Sequence, residues 1–144
     1  MLKNSEQYSN SKITLLNVNS PYGEFLGIKT RSNNSKPEFI LDYSPNNIGN
    51  TTLPALHGGV IGGFMEHVAI VGTAEQLQLH SFPKVINIHI DYLHSGKPKP
   101  LFGECHIVRH GKRIIYVQVE CWQEARDRVI AFARLQLKVA RQNS

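Results

Sequence analysis

The residue of this chain best placed to do chemistry is Glu66. If the segment around it is helical, the residues sharing its face are Gly59, Gly62, Gly63, Ala69, Ile70 and Thr73. All are small, apolar or weakly polar, and no lysine or arginine stands three or four residues away. A carboxylate in such company is either buried at a cost or exposed in a cleft where it can act. Poor solvation there would strengthen it as a base near neutral pH. Just upstream stands Leu56-His57-Gly58-Gly59. A helix starting here presents unpaired backbone N–H groups and the positive end of its dipole, which can hold an oxyanion. Glycine also lets a carbonyl come close. Plainer alternatives stay open: Glu66 pointing to solvent or pairing with a basic residue of another strand, and the glycines marking an ordinary loop-to-helix junction.

The elements that must position these groups follow from the hydrophobic period. Strands are expected over Glu24 to Thr30 and Glu38 to Tyr43, with a turn cluster at Ser32, Asn33, Asn34 and Ser35. Ser44 to Leu56 reads as a long loop. From Gly58 to about Gln78 strand alternation stops, and Val60, Phe64, Val68 and Val71 recur at helical spacing. Glycine at 58, 59, 62, 63 and 72 weakens this helix by up to ~1 kcal/mol each relative to alanine. Such a load is expected where something approaches the helix backbone closely, as a tightly wrapped sheet would.

Lys84 to Leu93 alternates, with Ile86, Ile88, Ile90 and Tyr92 expected on one side and Val85, Asn87, His89 and Asp91 on the other. Ser95-Gly96-Lys97-Pro98 is a turn. Leu101 to Arg109 and Ile114 to Trp122 form a hairpin through His110-Gly111-Lys112, and Val129 to Val139 closes the set. The order is two strands, one buried helix, then four strands. It predicts an α+β fold in which a curved antiparallel sheet wraps one long central helix. The polar residues 1–20 precede a single domain over 21–144.

Composition narrows the surroundings. A charged fraction of 19% and a hydrophobic fraction of 41% exclude a disordered chain. No apolar run approaches the ~20 residues needed to span a bilayer. Met1 to Lys12 lacks the apolar stretch of a secretory signal, so a cytoplasmic protein is expected. Cys105 and Cys121 sit in apolar alternating runs as small reduced core residues. The histidines at 67, 80, 89, 94, 106 and 110 make no metal-ligand spacing; His89 and Asp91 share a strand face, but two ligands do not make a site. Trp122 and Tyr116 share a face as packing residues rather than a nucleotide-stacking platform. The net charge of +5 attracts polyanions, whether nucleic acid, an anionic membrane surface or a phosphate-rich ligand such as coenzyme A, and charge alone does not choose among them. Nothing resembles a DNA-reading helix or an RNA-binding aromatic signature.

Leu53 to Glu66, which carries His57-Gly58-Gly59 and an acidic residue seven positions after the second glycine, resembles the hotdog-fold thioesterases of the phenylacetate-degradation (PaaI-like) type. Ile88 to Leu93 looks like that family's strand after the helix, and Val108 to Arg113 like its basic hairpin. The resemblance implies an acyl-CoA thioesterase with no cofactor beyond the CoA of its substrate. Glu66 would activate water or attack the thioester carbonyl directly. The Gly58 N–H, helped by Gly59, would polarise that carbonyl, and His57 would shape the start of the helix. Asn50 in the preceding loop, or Thr51 in its place, would hold water or substrate. Val85 departs from the family near where some members carry an assisting serine or threonine. Sites between two subunits are implied, in a dimer or tetramer, with Arg109, Lys112 and Arg113, joined by Lys97, meeting the CoA phosphates. Two other readings remain: a non-catalytic acyl-CoA-binding or sensing module, and a hotdog enoyl-CoA hydratase, against which the nine-residue gap from His57 to Glu66 argues.

Overall fold

The computed structural model describes residues 28–33, 36–42 and 58–140. Strands β1 (Ile28–Asn33) and β2 (Lys36–Leu41) precede helix α1 (Gly58–Gln76). Strands β3 (Lys84–Tyr92), β4 (Leu101–His110), β5 (Ile114–Trp122) and β6 (Val129–Lys138) follow it. They form one antiparallel sheet in the order β1-β2-β4-β5-β6-β3. Hairpins make β4, β5 and β6 a meander, while β3, after α1, lies at the far edge, where among the described residues it pairs only with β6. The expected α+β arrangement is present: α1 packs on β2, β3, β4, β5 and β6 along one face of the sheet.

That face is built by alternation. Leu101, Gly103 and Cys105 of β4, Ile115, Val117, Val119 and Cys121 of β5, and Ala131, Ala133, Leu135 and Leu137 of β6 are buried beneath the helix. The helix contributes Ile61, Phe64, Met65, Val68 and Val71, all buried. Every residue from His67 to Ala74 is buried, so its middle is enclosed on all sides rather than along one stripe. Small residues allow the close approach that the glycine load predicted. A Cβ added at Gly72 would lie 2.8 Å from the Cβ of Cys105, and one at Gly103 would lie 2.7 Å from Cε2 of Phe64.

Boundaries moved where local chemistry beats period. The described part of the first strand runs on to Asn33 rather than ending at Thr30, so Ser32 and Asn33 are strand and not turn. The second strand starts earlier, at Lys36. The helix stops at Gln76 because Gln78 takes a left-handed backbone angle (φ 54°). Leu79 N–H then bonds to Ala74 C=O at 2.9 Å and Gln78 N–H to Glu75 C=O at 3.2 Å, a Schellman stop built without glycine. The larger correction concerns β3. Its register shifts between Val85 and Asn87, and this bulge turns Ile86 outward to 53% exposure while Val85, Ile88 and Ile90 pack against the core.

Cys105 and Cys121 are free and buried, as expected, and burial pushes the Cys105 thiol up to about 12. On the outer face Trp122 is a packing residue: it stacks on Phe102 (centroids 6.2 Å apart) and lies 4.2 Å under the Arg126 guanidinium. Among the described residues no helix is long and apolar enough to cross a membrane, and no group of three or more His, Cys, Asp or Glu could hold a metal ion.

Candidate active site at the start of the central helix

Gly58 and Gly59 open α1 and are exposed; Glu66, two turns further on, is half-buried. Which way Glu66 faces follows from how β3 runs along the helix. The Tyr92 hydroxyl donates to the Gly58 carbonyl at 2.9 Å. One turn along, a Cβ at Gly62 would sit 3.4 Å from both Ile90 Cδ1 and Tyr92 Oη. Two strand residues advance about 6.6 Å and four helix residues about 6.0 Å, so the elements keep step. The next step brings Ile88 level with Glu66. Glu66 therefore stands on the side of the helix toward β3, the edge strand of the sheet among the described residues.

None of the ion pairs among the described residues engages Glu66. The alternative of a salt-linked structural glutamate has no support there. Beyond it, Ile86, Tyr92 and Leu93 are each more than half exposed along or just past the edge strand. Asn50, Thr51 and His57 lie outside the described residues.

The basic residues divide between the two ends of the sheet. Arg109, Lys112 and Arg113 are exposed at the β4–β5 hairpin. Lys112 and Arg113 line a cavity of about 590 Å³ with Leu77, Leu79, His80 and His110, beside the C-terminal end of α1. At 1.5 Å per residue that end is about 27 Å from Gly58, so the hairpin does not meet Gly58 of its own chain. A neighbouring cavity of about 390 Å³ adds Lys84, Lys138 and Phe82 to Arg113. Lys97 lies in the β3–β4 connection, and is paired with Glu124 at 3.2 Å. Lys99 and Lys97 beside it hold the Glu124 carboxyl down to about 2.

Three contributors escaped the sequence reading. Alternation groups Tyr92 with Ile88 and Ile90 on one side of its strand, but no local pattern signals a partner 34 residues away. Lys84 and Lys138 stand at strand ends and reveal themselves only through their register, since they are directly paired. The groove of about 450 Å³ on the outer face, lined by Asn87, His89, Tyr116, Gln118 and Arg134, is separated from Glu66 by the sheet. His89 and Asp91 touch beside it at 3.2 Å, and no third ligand joins them among the described residues.

The family model described as the thioesterase superfamily matches residues 53–130, more than half of the chain. Among solved structures, a Chromobacterium violaceum protein is 28% identical and superposes with a TM-score of 0.74, covering 97% of this chain and 98% of its own. A Shewanella oneidensis protein related to the thioesterase superfamily is 24% identical, with a TM-score of 0.73 over 96% of this chain and 97% of its own. The E. coli PaaI protein from the phenylacetic acid degradation operon is 16% identical, with a TM-score of 0.72 over 96% of this chain and 100% of its own. None of the curated proteins matches the chain. The shared architecture is the hotdog fold that the helix segment led us to expect.

Proposed function

The chain belongs to the thioesterase superfamily, with a hotdog fold of the PaaI type, and from that premise we propose that it hydrolyses an acyl-CoA thioester with Glu66 as its catalytic carboxylate. The observation that carries the reading is Glu66 itself: half-buried, without an ion pair among the described residues, on the helix side toward the edge strand β3, and two turns from the exposed Gly58 that opens the helix. The thioester carbonyl oxygen accepts from the Gly58 N–H, helped by Gly59 and the positive end of the helix dipole. A water oxygen attacks the carbonyl carbon while Glu66 takes its proton. The C–S bond then breaks, the proton passes to the departing sulfur, and free CoA and the carboxylic acid result. In the other route the Glu66 carboxylate attacks the carbonyl carbon, the C–S bond breaks and CoA leaves as the thiolate, and water then cleaves the anhydride to the free acid and Glu66. His57 and Asn50 would shape the start of the helix and hold the water.

The site needs a second copy of the chain. β3 is an edge strand with exposed apolar side chains, an arrangement that invites pairing. Antiparallel pairing of β3 with β3 of another copy would bring the Lys84 end of one strand beside the Tyr92 end of the other. The basic cluster of one protomer, including Arg113 and Lys112 with Arg109 near it, then stands close to Gly58 of the other. Guanidinium and ammonium groups so placed suit the phosphates of CoA. This accounts for the 27 Å separation within one chain and for part of the positive charge. A dimer, or a tetramer of two such dimers, is the proposed assembly.

The test is release of free thiol from a panel of short, long and aromatic acyl-CoAs by the wild type and by Glu66→Gln. The variant is expected to keep its fold by circular dichroism and lose at least about a hundredfold in kcat. Full activity in Glu66→Gln would remove Glu66 from the chemistry. Single-turnover reaction in ¹⁸O-water separates the two routes, because attack of water on the glutamyl carbon of an anhydride leaves label in Glu66.

A further inference from the structure

Arg134, in the middle of the outer sheet face, has no counter-charge among the described residues. It stands on β6, and the acids of the two flanking strands are already engaged. Glu120 of β5 is held by Arg126 at 2.7 Å, and Asp91 of β3 touches His89 at 3.2 Å. Register sets the company of Arg134. It faces His89 on one side and Gln118 on the other, and two residues along β6 Gln136 faces Asn87 and Tyr116. These two ranks line the groove of about 450 Å³, and neither Asp nor Glu joins them. Two residues of strand cover about 6.6 Å and three strands about 10 Å, a floor wide enough for a single ring. Gln118 and Gln136 are half-buried, yet no hydrogen bond among the described residues engages their side-chain amides.

The apolar wall is supplied by a bulge. The register of β4 against β5 shifts between Ile107 and Arg109, which leaves Val108 without a partner and turns it out beside Tyr116, 53% exposed. On the opposite side the bulge of β3 ends at Asn87. Bulges re-aim side chains and are common beside binding sites; here two of them bracket one groove. We infer that the groove is a second ligand site, apart from Glu66, which binds a small aromatic monocarboxylate. The Arg134 guanidinium donates two parallel hydrogen bonds to the carboxylate, and the Gln118 and Gln136 amides donate to its remaining lone pairs. The ring lies against Tyr116 and Val108. One guanidinium balances one negative charge, so a phosphate dianion suits the groove less well. The sheet separates this groove from the helix, and the inference does not depend on the hydrolase reading.

Titration of the ¹⁵N-labelled full chain with benzoate tests it. The side-chain amide signals of Asn87, Gln118 and Gln136 should shift together and saturate, and Glu66→Gln should behave there as the wild type does. Arg134→Gln is expected to weaken binding about tenfold or more, since a charged bidentate contact is lost. Tyr116→Ala should weaken it about threefold to tenfold. Both side chains are exposed, so the melting temperature should stay at the wild-type value. Benzyl alcohol has the ring without the charge and inorganic phosphate the charge without the ring; each should bind at least about tenfold more weakly than benzoate. Shifts that do not saturate by about 10 mM benzoate overturn the inference. So do shifts undiminished in Arg134→Gln, shifts matched by phosphate or benzyl alcohol, and shifts confined to residues 58–66.

Discussion

Gly103→Ala is the sharpest probe of how the sheet holds the helix that carries Glu66. Gly103 lies on the inner face of β4, between Phe39 of β2 and Cys121 of β5. A Cβ there would meet Phe64 Cε2 at 2.7 Å, Phe64 Cζ at 3.0 Å and Val68 Cγ2 at 3.1 Å. Carbon atoms rest about 3.5–4.0 Å apart, so the overlap is close to an ångström. Phe64 and Val68 are fully buried and have nowhere to turn. Overpacking of this kind costs about 1–3 kcal/mol. Against it stands about 0.5–1 kcal/mol from the smaller backbone entropy of an unfolded chain with alanine. The net is a loss of about 1–2 kcal/mol, or a melting temperature lower by about 3–8 °C for a domain of this size.

The functional consequence is larger than the thermal one. Phe64 and Val68 straddle Glu66 on the same helix, so relieving the overlap by lifting α1 off β4 moves the carboxylate with it. A misplacement of about 1 Å can reduce turnover up to about a hundredfold. Thermal denaturation and thiol release on the same protein measure both effects. The pair Gly103→Ala and Phe64→Leu closes a double-mutant cycle. Phe64→Leu opens space at the clash, so the double variant should be at least about 1 kcal/mol more stable than the two losses added together. Wild-type stability in Gly103→Ala, or strict additivity in the cycle, would refute close packing of α1 on β4 as the device that holds Glu66.

Two further outcomes follow from groups of known surroundings. His67 is fully buried, and burial lowers its pKa to about 4, so the folded protein holds it neutral while the unfolded chain takes up a proton below about 6.5. The unfolded state binds more protons between those values, so stability is fully present above pH 6.5 and lost as pH falls toward 4, by up to about 3 kcal/mol. Urea denaturation at pH 7 and pH 4.5 should show this loss, and His67→Gln should flatten it; an unchanged pH slope in the variant assigns the acid loss elsewhere. Lys112→Ala with Arg113→Ala should raise KM for acyl-CoA about tenfold or more at low salt with little change in kcat. A pantetheine thioester, which lacks the phosphates of the nucleotide, should show no such rise, and equal effects on both substrates would remove the hairpin from phosphate binding.

Tyr92 illustrates how far the sequence reading went. Alternation placed it on the same strand face as Ile88 and Ile90, and all three do turn toward α1. Ile86, placed with them, turned outward, because a bulge adds one residue to β3 and strict period-two counting cannot register an extra residue. The end of the helix was legible only to within two residues, since its stop is a left-handed glutamine and not the glycine that usually marks one. Gly72 was rightly expected to admit something close to the helix, whereas Gly103 gave no signal, because a lone glycine in a strand has many explanations.

Local chemistry along the chain thus determined the element types, the helical setting of Glu66 among small neighbours, and the glycines that open the helix. These depend on spacing within a turn or on alternation within a strand, both written in consecutive residues. Which side of α1 faces the edge strand β3 was decided only by tertiary packing. The helix is enclosed all round over His67 to Ala74, so burial there singles out no one face. Its rotation is set by the reach of Tyr92 and Ile90 from β3 to Gly58 and Gly62, contacts between residues about thirty positions apart. Tertiary packing likewise sent the basic hairpin to the opposite end of the helix from Gly58, because β4 runs the length of α1 before it turns.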